Sequence, residues 1–143
     1  MIAQKKHKET WATIDSVIVY RNYVLFNILS HSAKSTIDMQ RIPPIASHRE
    51  LPEGIEPIKH QYGYNSWVMD AVKDSAEKEW WMGECGVYLA TGEEVLGYPF
   101  WSEVHNGLTF SDICSDFLTK IELLMEEHHV GKNELRLIWG FDC

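Results

Sequence analysis

The segment from Thr109 to Gly131 constrains the fold more than any other part of this 143-residue chain. Apolar side chains recur in it every three or four residues, which is the period of one buried helix face. Thr109 and Asp112 have the spacing of a capping box at the helix start. Gly131 is expected to provide the left-handed residue that ends the helix. The sequence therefore predicts an amphipathic helix over about 110–129, whose buried face consists of Ile113, Phe117, Ile121, Leu124 and Met125.

β-Branched and aromatic residues are dense between Ala12 and Leu29, and this composition favours strands. Arg21-Asn22 is the expected turn between two of them. A stripe of apolar residues at helical spacing through the same segment is the alternative interpretation. A third strand is predicted over 35–42, where Pro43-Pro44 ends it.

The remaining elements are a shorter helix over 66–78, a strand over 80–90, a turn over 91–94, and strands over 95–101 and 135–141. Residues 1–9 are polar and basic, and we predict a flexible tail there. Residues 10–143 are predicted to form one α+β domain with a mainly antiparallel sheet of five to six strands. The order of elements by itself also fits a parallel arrangement.

Charge is distributed unevenly along the chain. The net charge is −8, with seven Lys/Arg and three Asp/Glu in residues 1–49 against six and eighteen in residues 50–143. The second part also holds five of the six tryptophans. Such an acidic surface repels phosphate backbones and attracts cationic partners. Solubility is the alternative explanation for the same charge.

Large aromatic residues surrounded by acids are typical of an interface with a basic protein, because aromatics anchor and acids steer. The alternative is that these tryptophans are half-buried parts of the core. The predicted partner-binding residues are Trp80, Trp81, Trp101, Asp70, Asp74, Glu77, Glu84, Glu93, Glu94 and Glu103.

No motif for catalysis or for a cofactor is legible. The seven histidines show no metal-binding spacing, and Glu126-x-x-His129 is only half of a di-iron pattern. There is no nucleophile elbow and no phosphate-binding loop. Cys85 follows the acidic Glu84, which does not favour a reactive thiolate. We therefore expect no metal, no cofactor and no catalytic residue.

The three cysteines, Cys85, Cys114 and Cys143, form no paired motif, which indicates free thiols in a reducing compartment. The first ten residues have no apolar core of a signal peptide. The longest apolar run, 17–29, is interrupted by Arg21, Asn22 and Asn27, so it is too polar to cross a bilayer. The expected location is the cytoplasm.

A long connection over 43–64 is the alternative place for a functional site. Prolines and glycines punctuate it, and it carries His48, His60, Tyr62 and Tyr64. Long loops often hold binding sites, so a small enzyme or a metabolite-binding protein with its site here is one hypothesis.

The stretch Gly86–Val95 followed by Leu108–Asp112 and Phe117-Leu118 resembles the SUKH superfamily of bacterial toxin-immunity proteins, and Leu51–Gly54 adds to it. Immunity proteins of contact-dependent inhibition systems are a similar class. The resemblance implies an acidic cytosolic protein that neutralises a cognate toxin, often a basic nuclease. The alternative is a phage or plasmid antagonist that mimics nucleic acid against a host defence nuclease. Genome neighbourhood separates the two.

Overall fold

The computed structural model describes residues 1–30, 41–46 and 87–140, which combine an antiparallel sheet with helices. The α+β prediction is confirmed. The predicted helix over 66–78, and most of the predicted strands over 35–42 and 80–90, lie outside these residues. The elements are β1 (Ile2–His7), β2 (Thr10–Ser16), α1 (Tyr23–Ser30), β3 (Val87–Thr91), α2 (Gly92–Leu96), a 3₁₀ turn (Pro99–Ser102), β4 (Val104–His105), β5 (Leu108–Thr109), α3 (Phe110–Ile113), α4 (Ser115–Glu127) and β6 (Leu135–Gly140).

The main sheet has the strand order β2-β1-β6-β3, and every neighbouring pair is antiparallel. Ile138 of β6 lies opposite Ile2 on one side and Leu89 on the other. The core packs sheet residues such as Ala3 and Leu137 against Ile28 of α1 and Ile121 of α4. The described N-terminal and C-terminal parts of the chain are thus joined through β1 and β6.

The prediction of a flexible tail over residues 1–9 is wrong. These residues supply β1, which pairs on one side with β2 and on the other with β6. Ile2 and Ala3 are buried. The charged residues that suggested a tail lie at the exposed end of the strand and in its turn, where Lys8 has a φ of 56°.

The predicted hairpin at Arg21-Asn22 is also wrong, because the chain enters helix α1 there. The Asn22 side chain accepts a hydrogen bond from the amide of Leu25 at 3.1 Å, as a helix cap does. Leu25, Ile28 and Leu29 are buried at helical spacing. Residues 23–30 therefore follow the apolar period, which overrides the strand propensity of the segment.

The predicted turn over 91–94 and strand over 95–101 are replaced by α2 and the 3₁₀ turn. Thr91 caps α2 in a full capping box with Glu94. Pro99 begins the 3₁₀ turn, where its missing N–H leaves no unsatisfied donor. The composition of a short apolar run does not distinguish a strand from a helix. Here the capping residues favour the helical conformation.

The helix predicted over 110–129 is confirmed as two consecutive helices, α3 and α4, that meet at Cys114. Thr109 and Asp112 form the predicted capping box. The C-terminal prediction is wrong in detail: the left-handed residue after α4 is His129, with a φ of 50°, and not Gly131. The predicted last strand is present as β6.

Candidate functional site

Residues 15–22 leave the end of β2 and run antiparallel to α4, held at three points. Asp15 Oδ2 lies 3.0 Å from His128 Nε2, Lys120 Nζ donates to the Ile18 carbonyl at 3.2 Å, and Asn22 Nδ2 donates to the Ile113 carbonyl at 3.4 Å. The spacing of the first two contacts is similar on both elements. The eight helical residues between Lys120 and His128 rise about 12 Å, and the three extended residues between Asp15 and Ile18 span about 10 Å. This segment therefore forms one surface with α4.

Lys120 is the central tie of this surface. Its ammonium lies 2.9 Å from Asp116 Oδ2 and 4.7 Å from the centre of the Tyr20 ring, in addition to its bond to the Ile18 carbonyl. A cation over a tyrosine face is attracted by the ring quadrupole. Lys120 thus neutralises Asp116 and orients Tyr20, whose ring stays exposed.

Exposed apolar side chains converge around Lys120. Ile18 and Tyr20 are 69% and 72% exposed, and Leu123 and Tyr23 are 58% and 57% exposed. Leu123 lies one turn from Lys120 on the same side of α4. Ile18, Tyr20 and Leu123, called the apolar patch below, are three of the six large hydrophobic side chains that stand exposed in the described part of the chain. The others are Tyr23, the first residue of α1, and Val104 and Leu108 of the β4–β5 hairpin.

Helix α4 supplies negative charge beside the apolar patch. Its four acids and one lysine give a net charge of −3 over Ser115–Glu127. The acids are Asp116, Glu122, Glu126 and Glu127, and all four are exposed. The candidate site is therefore an apolar surface bordered by carboxylates.

A cleft of about 60 Å³ opens between the 15–22 segment and the start of α4. It is lined by Val19, Leu25, Cys114 and Phe117 among others. Pockets for metabolites measure roughly 300–1,000 Å³, so this cleft accommodates water or a small side chain and not a cofactor. Burial raises the pKa of the Cys114 thiol to about 12, which keeps it protonated and unreactive at neutral pH.

A second group of polar side chains lies at the C-terminal end of α4. Ligand atoms of Asp15, Glu127 and His128 all fall within 4.8 Å of one another. The Asp15 carboxylate is oriented through its other oxygen, which accepts from the Ser16 amide at 2.7 Å. No sequence motif predicts this group, because Asp15 and His128 are 113 positions apart. Only the adjacent Glu127-His128 pair gave a local signal.

Four of the ten predicted partner-binding residues lie in the described part of the chain: Glu93, Glu94, Trp101 and Glu103. Trp101 is 8% exposed, and its indole Nε1 donates to the Val95 carbonyl at 2.7 Å, so it belongs to the core. Glu94 serves the capping box of α2, while Glu93 and Glu103 are exposed. The other predicted residues lie outside the described residues: Trp80, Trp81, Asp70, Asp74, Glu77 and Glu84.

The alternative site over 43–64 is described only at its beginning. The amides of Ile45 and Ala46 donate to the carbonyls of Ile28 and Leu29, and the Tyr98 hydroxyl donates to the Pro43 carbonyl. This start of the connection is therefore attached to α1 and the core. His48, His60, Tyr62 and Tyr64 lie outside the described residues.

No helix within residues 1–30, 41–46 and 87–140 has the length and apolar character needed to cross a membrane. The chain matches no protein-family model, and neither the curated proteins nor the solved structures give a match. The resemblance to toxin-immunity proteins stays a prediction.

Proposed function

We propose that this protein acts by stoichiometric binding of a basic protein partner, through the apolar patch and the acidic side of α4. The observation that carries the proposal is that Ile18, Tyr20 and Leu123 stand exposed around Lys120 of one acidic helix. Single exposed hydrophobics are normal on any protein, whereas a contiguous group rimmed by polar residues marks an interaction surface.

The chemistry of the patch suits an interface. Tyrosine is enriched among residues that dominate binding energy, because its ring buries a large area and its hydroxyl can stay hydrated. Tyr20 is already oriented by Lys120, so less side-chain entropy is lost when it is covered. The patch is therefore partly preorganised for a partner.

The charge of the chain indicates the kind of partner. The acids of α4 and the net charge of −8 attract a cationic surface and increase the rate of association at low salt. Together with the sequence resemblance to toxin-immunity proteins, this supports a specific proposal. The protein is an inhibitor that neutralises a basic toxin, such as a nuclease, by covering its substrate-binding face.

The experiment uses a photo-crosslinking residue in place of Tyr20, and as a control in place of Val104, in the native host. The partner captured specifically at position 20 is identified, purified and titrated against the wild-type protein and its variants. We expect Tyr20→Ala and Leu123→Ser to weaken binding by about tenfold or more, since each removes about 1.4 kcal/mol or more of contact energy. Val104→Ser, an equally exposed change on the β4–β5 hairpin, should leave binding unchanged.

Ionic strength tests the electrostatic part separately. The association rate should fall as salt rises, while the dissociation rate changes little. Equal binding by the wild type, Tyr20→Ala and Leu123→Ser would contradict the proposed surface. An association rate independent of salt would contradict the basic partner.

A further inference from the structure

We infer that Asp15, Glu127 and His128 form a binding site for a divalent transition-metal ion of the zinc type, which would join the end of β2 to the end of α4. This inference is independent of the proposed partner. It rests on the donor set, on the distances between the donor atoms, and on how each side chain is held.

The donor set is one imidazole nitrogen and two carboxylates. Imidazole is a preferred ligand of zinc, copper, nickel and iron, whereas calcium and magnesium bind through oxygen and need six or more ligands. A zinc site that keeps a position open to water usually has three protein ligands, which is the number of side chains in this group. The histidine therefore separates this group from an ordinary cluster of surface acids.

The distances are close to those a tetrahedral ion requires. With metal–ligand bonds of about 2.1 Å, neighbouring donor atoms in a tetrahedron lie about 3.4 Å apart. His128 Nε2 and Asp15 Oδ2 are 3.0 Å apart, and the Glu127 oxygen completes a group spanning no more than 4.8 Å. Glu127 is exposed, so a rotation of its side chain can close the remaining distance at low cost.

Hydrogen bonds hold two of the three ligands, Asp15 and His128. The Ser16 amide fixes the Asp15 carboxylate at 2.7 Å, which is the kind of outer hydrogen bond that orients metal ligands. The His128 amide donates to the Leu124 carbonyl at 3.0 Å as the last turn of α4 ends. The helix C-terminus adds a partial negative charge beside the site, which favours a cation. Lys5 Nζ donates to the carbonyl of His129, the residue after His128, at 3.4 Å.

The test is calorimetric titration of the full chain with Zn²⁺, repeated with Mg²⁺, on the wild type and three variants. We expect Zn²⁺ to bind with a saturable 1:1 component and to raise the melting temperature, and Mg²⁺ to do neither. His128→Gln and Asp15→Asn should weaken that component about tenfold or more. His129→Gln is the matched control, because it removes the neighbouring imidazole, which lies outside the group.

Circular dichroism of each variant without metal shows whether it is folded, so that loss of binding is separable from loss of structure. Co²⁺ gives a second measurement, because its visible absorption reports coordination geometry and should disappear in His128→Gln but persist in His129→Gln. Zn²⁺ binding of wild-type strength in folded His128→Gln and Asp15→Asn, or no saturable binding in the wild type, would overturn the inference.

Discussion

The carboxylate of Asp15 and the imidazole of His128 lie 3.0 Å apart, although 113 positions separate them in the chain. Asp15 belongs to β2 and His128 caps α4, so this contact joins the edge of the sheet to the end of the longest described helix. From this point, residues 15–22 follow α4 back towards its start. The apolar patch and the proposed metal site both lie along this line of contact, and the predictions below test its stability and that of the surrounding core.

Lys120→Met should lower the free energy of unfolding by about 1 kcal/mol, because it removes a cation–π contact, an exposed ion pair and a hydrogen bond to the backbone. Urea unfolding followed by circular dichroism measures the change. Lys132→Met is the matched control, since Lys132 is exposed and, among the described residues, it is its backbone carbonyl that is bonded, by the Glu93 amide. An equal loss in both variants would contradict the role of Lys120 in holding the 15–22 segment.

Thr109→Ala should cost about 1 kcal/mol of stability, because the Thr109 hydroxyl accepts from the Asp112 amide at the start of α3. The same measurement on Thr119→Ala, on the exposed side of α4, should show a change within about 0.5 kcal/mol. If the two variants unfold at the same denaturant concentration, the Thr109–Asp112 capping box contributes nothing to stability and the prediction is wrong.

Gly92→Ala should destabilise the fold by about 1–3 kcal/mol, since an added Cβ would lie 2.8 Å from the Lys132 carbonyl oxygen and 3.2 Å from the Leu135 Cβ. The backbone at Lys132 would have to move, and with it the hydrogen bond from the Glu93 amide. Gly131→Ala is the control, because its added Cβ meets nothing closer than 3.5 Å. Thermal unfolding of both variants measures the difference. An equal loss in Gly131→Ala would show that the close packing at Gly92 is not the cause.

Trp101→Ala should cost about 3–5 kcal/mol, as expected for removal of a buried aromatic residue. The indole packs edge-on against Tyr98 at a ring separation of 5.5 Å and also donates to Val95. Trp11→Ala, at a half-buried position where Arg136 stacks on the ring, should cost less. A folded, stable Trp101→Ala variant would contradict the core position of this residue.

Stability should fall as the pH rises from about 9 towards 12, because burial raises the pKa of the Cys114 thiol from 9.0 to about 12. In that range the unfolded chain loses the thiol proton and the native state keeps it, so alkaline pH favours unfolding. Cys114→Ala should therefore show a shallower decline between about pH 8 and about pH 10.5 in urea unfolding. Parallel declines in the two proteins would show that other groups cause the loss.

Elements whose signals are local could be predicted from the sequence alone. The helix over 110–129 follows from its apolar period and from the Thr109–Asp112 capping box, both of which act within a few residues. The α+β class and the final strand follow from similar patterns. Acidity also follows from the sequence, because net charge is a sum over residues and does not depend on the fold.

The folded chain was needed to choose between two interpretations of one segment and to show which distant residues are in contact. Residues 2–7 form a strand because β2 and β6 satisfy the backbone of β1 on both sides. Trp101 lies in the core because its indole donates to the Val95 carbonyl and packs against the Tyr98 ring. Composition does not predict these contacts. The apolar patch and the Asp15–His128 contact depend on the 15–22 segment running along α4. Contacts between residues far apart in the chain leave no period or spacing in the sequence, and for that reason the candidate sites emerged only from the folded chain.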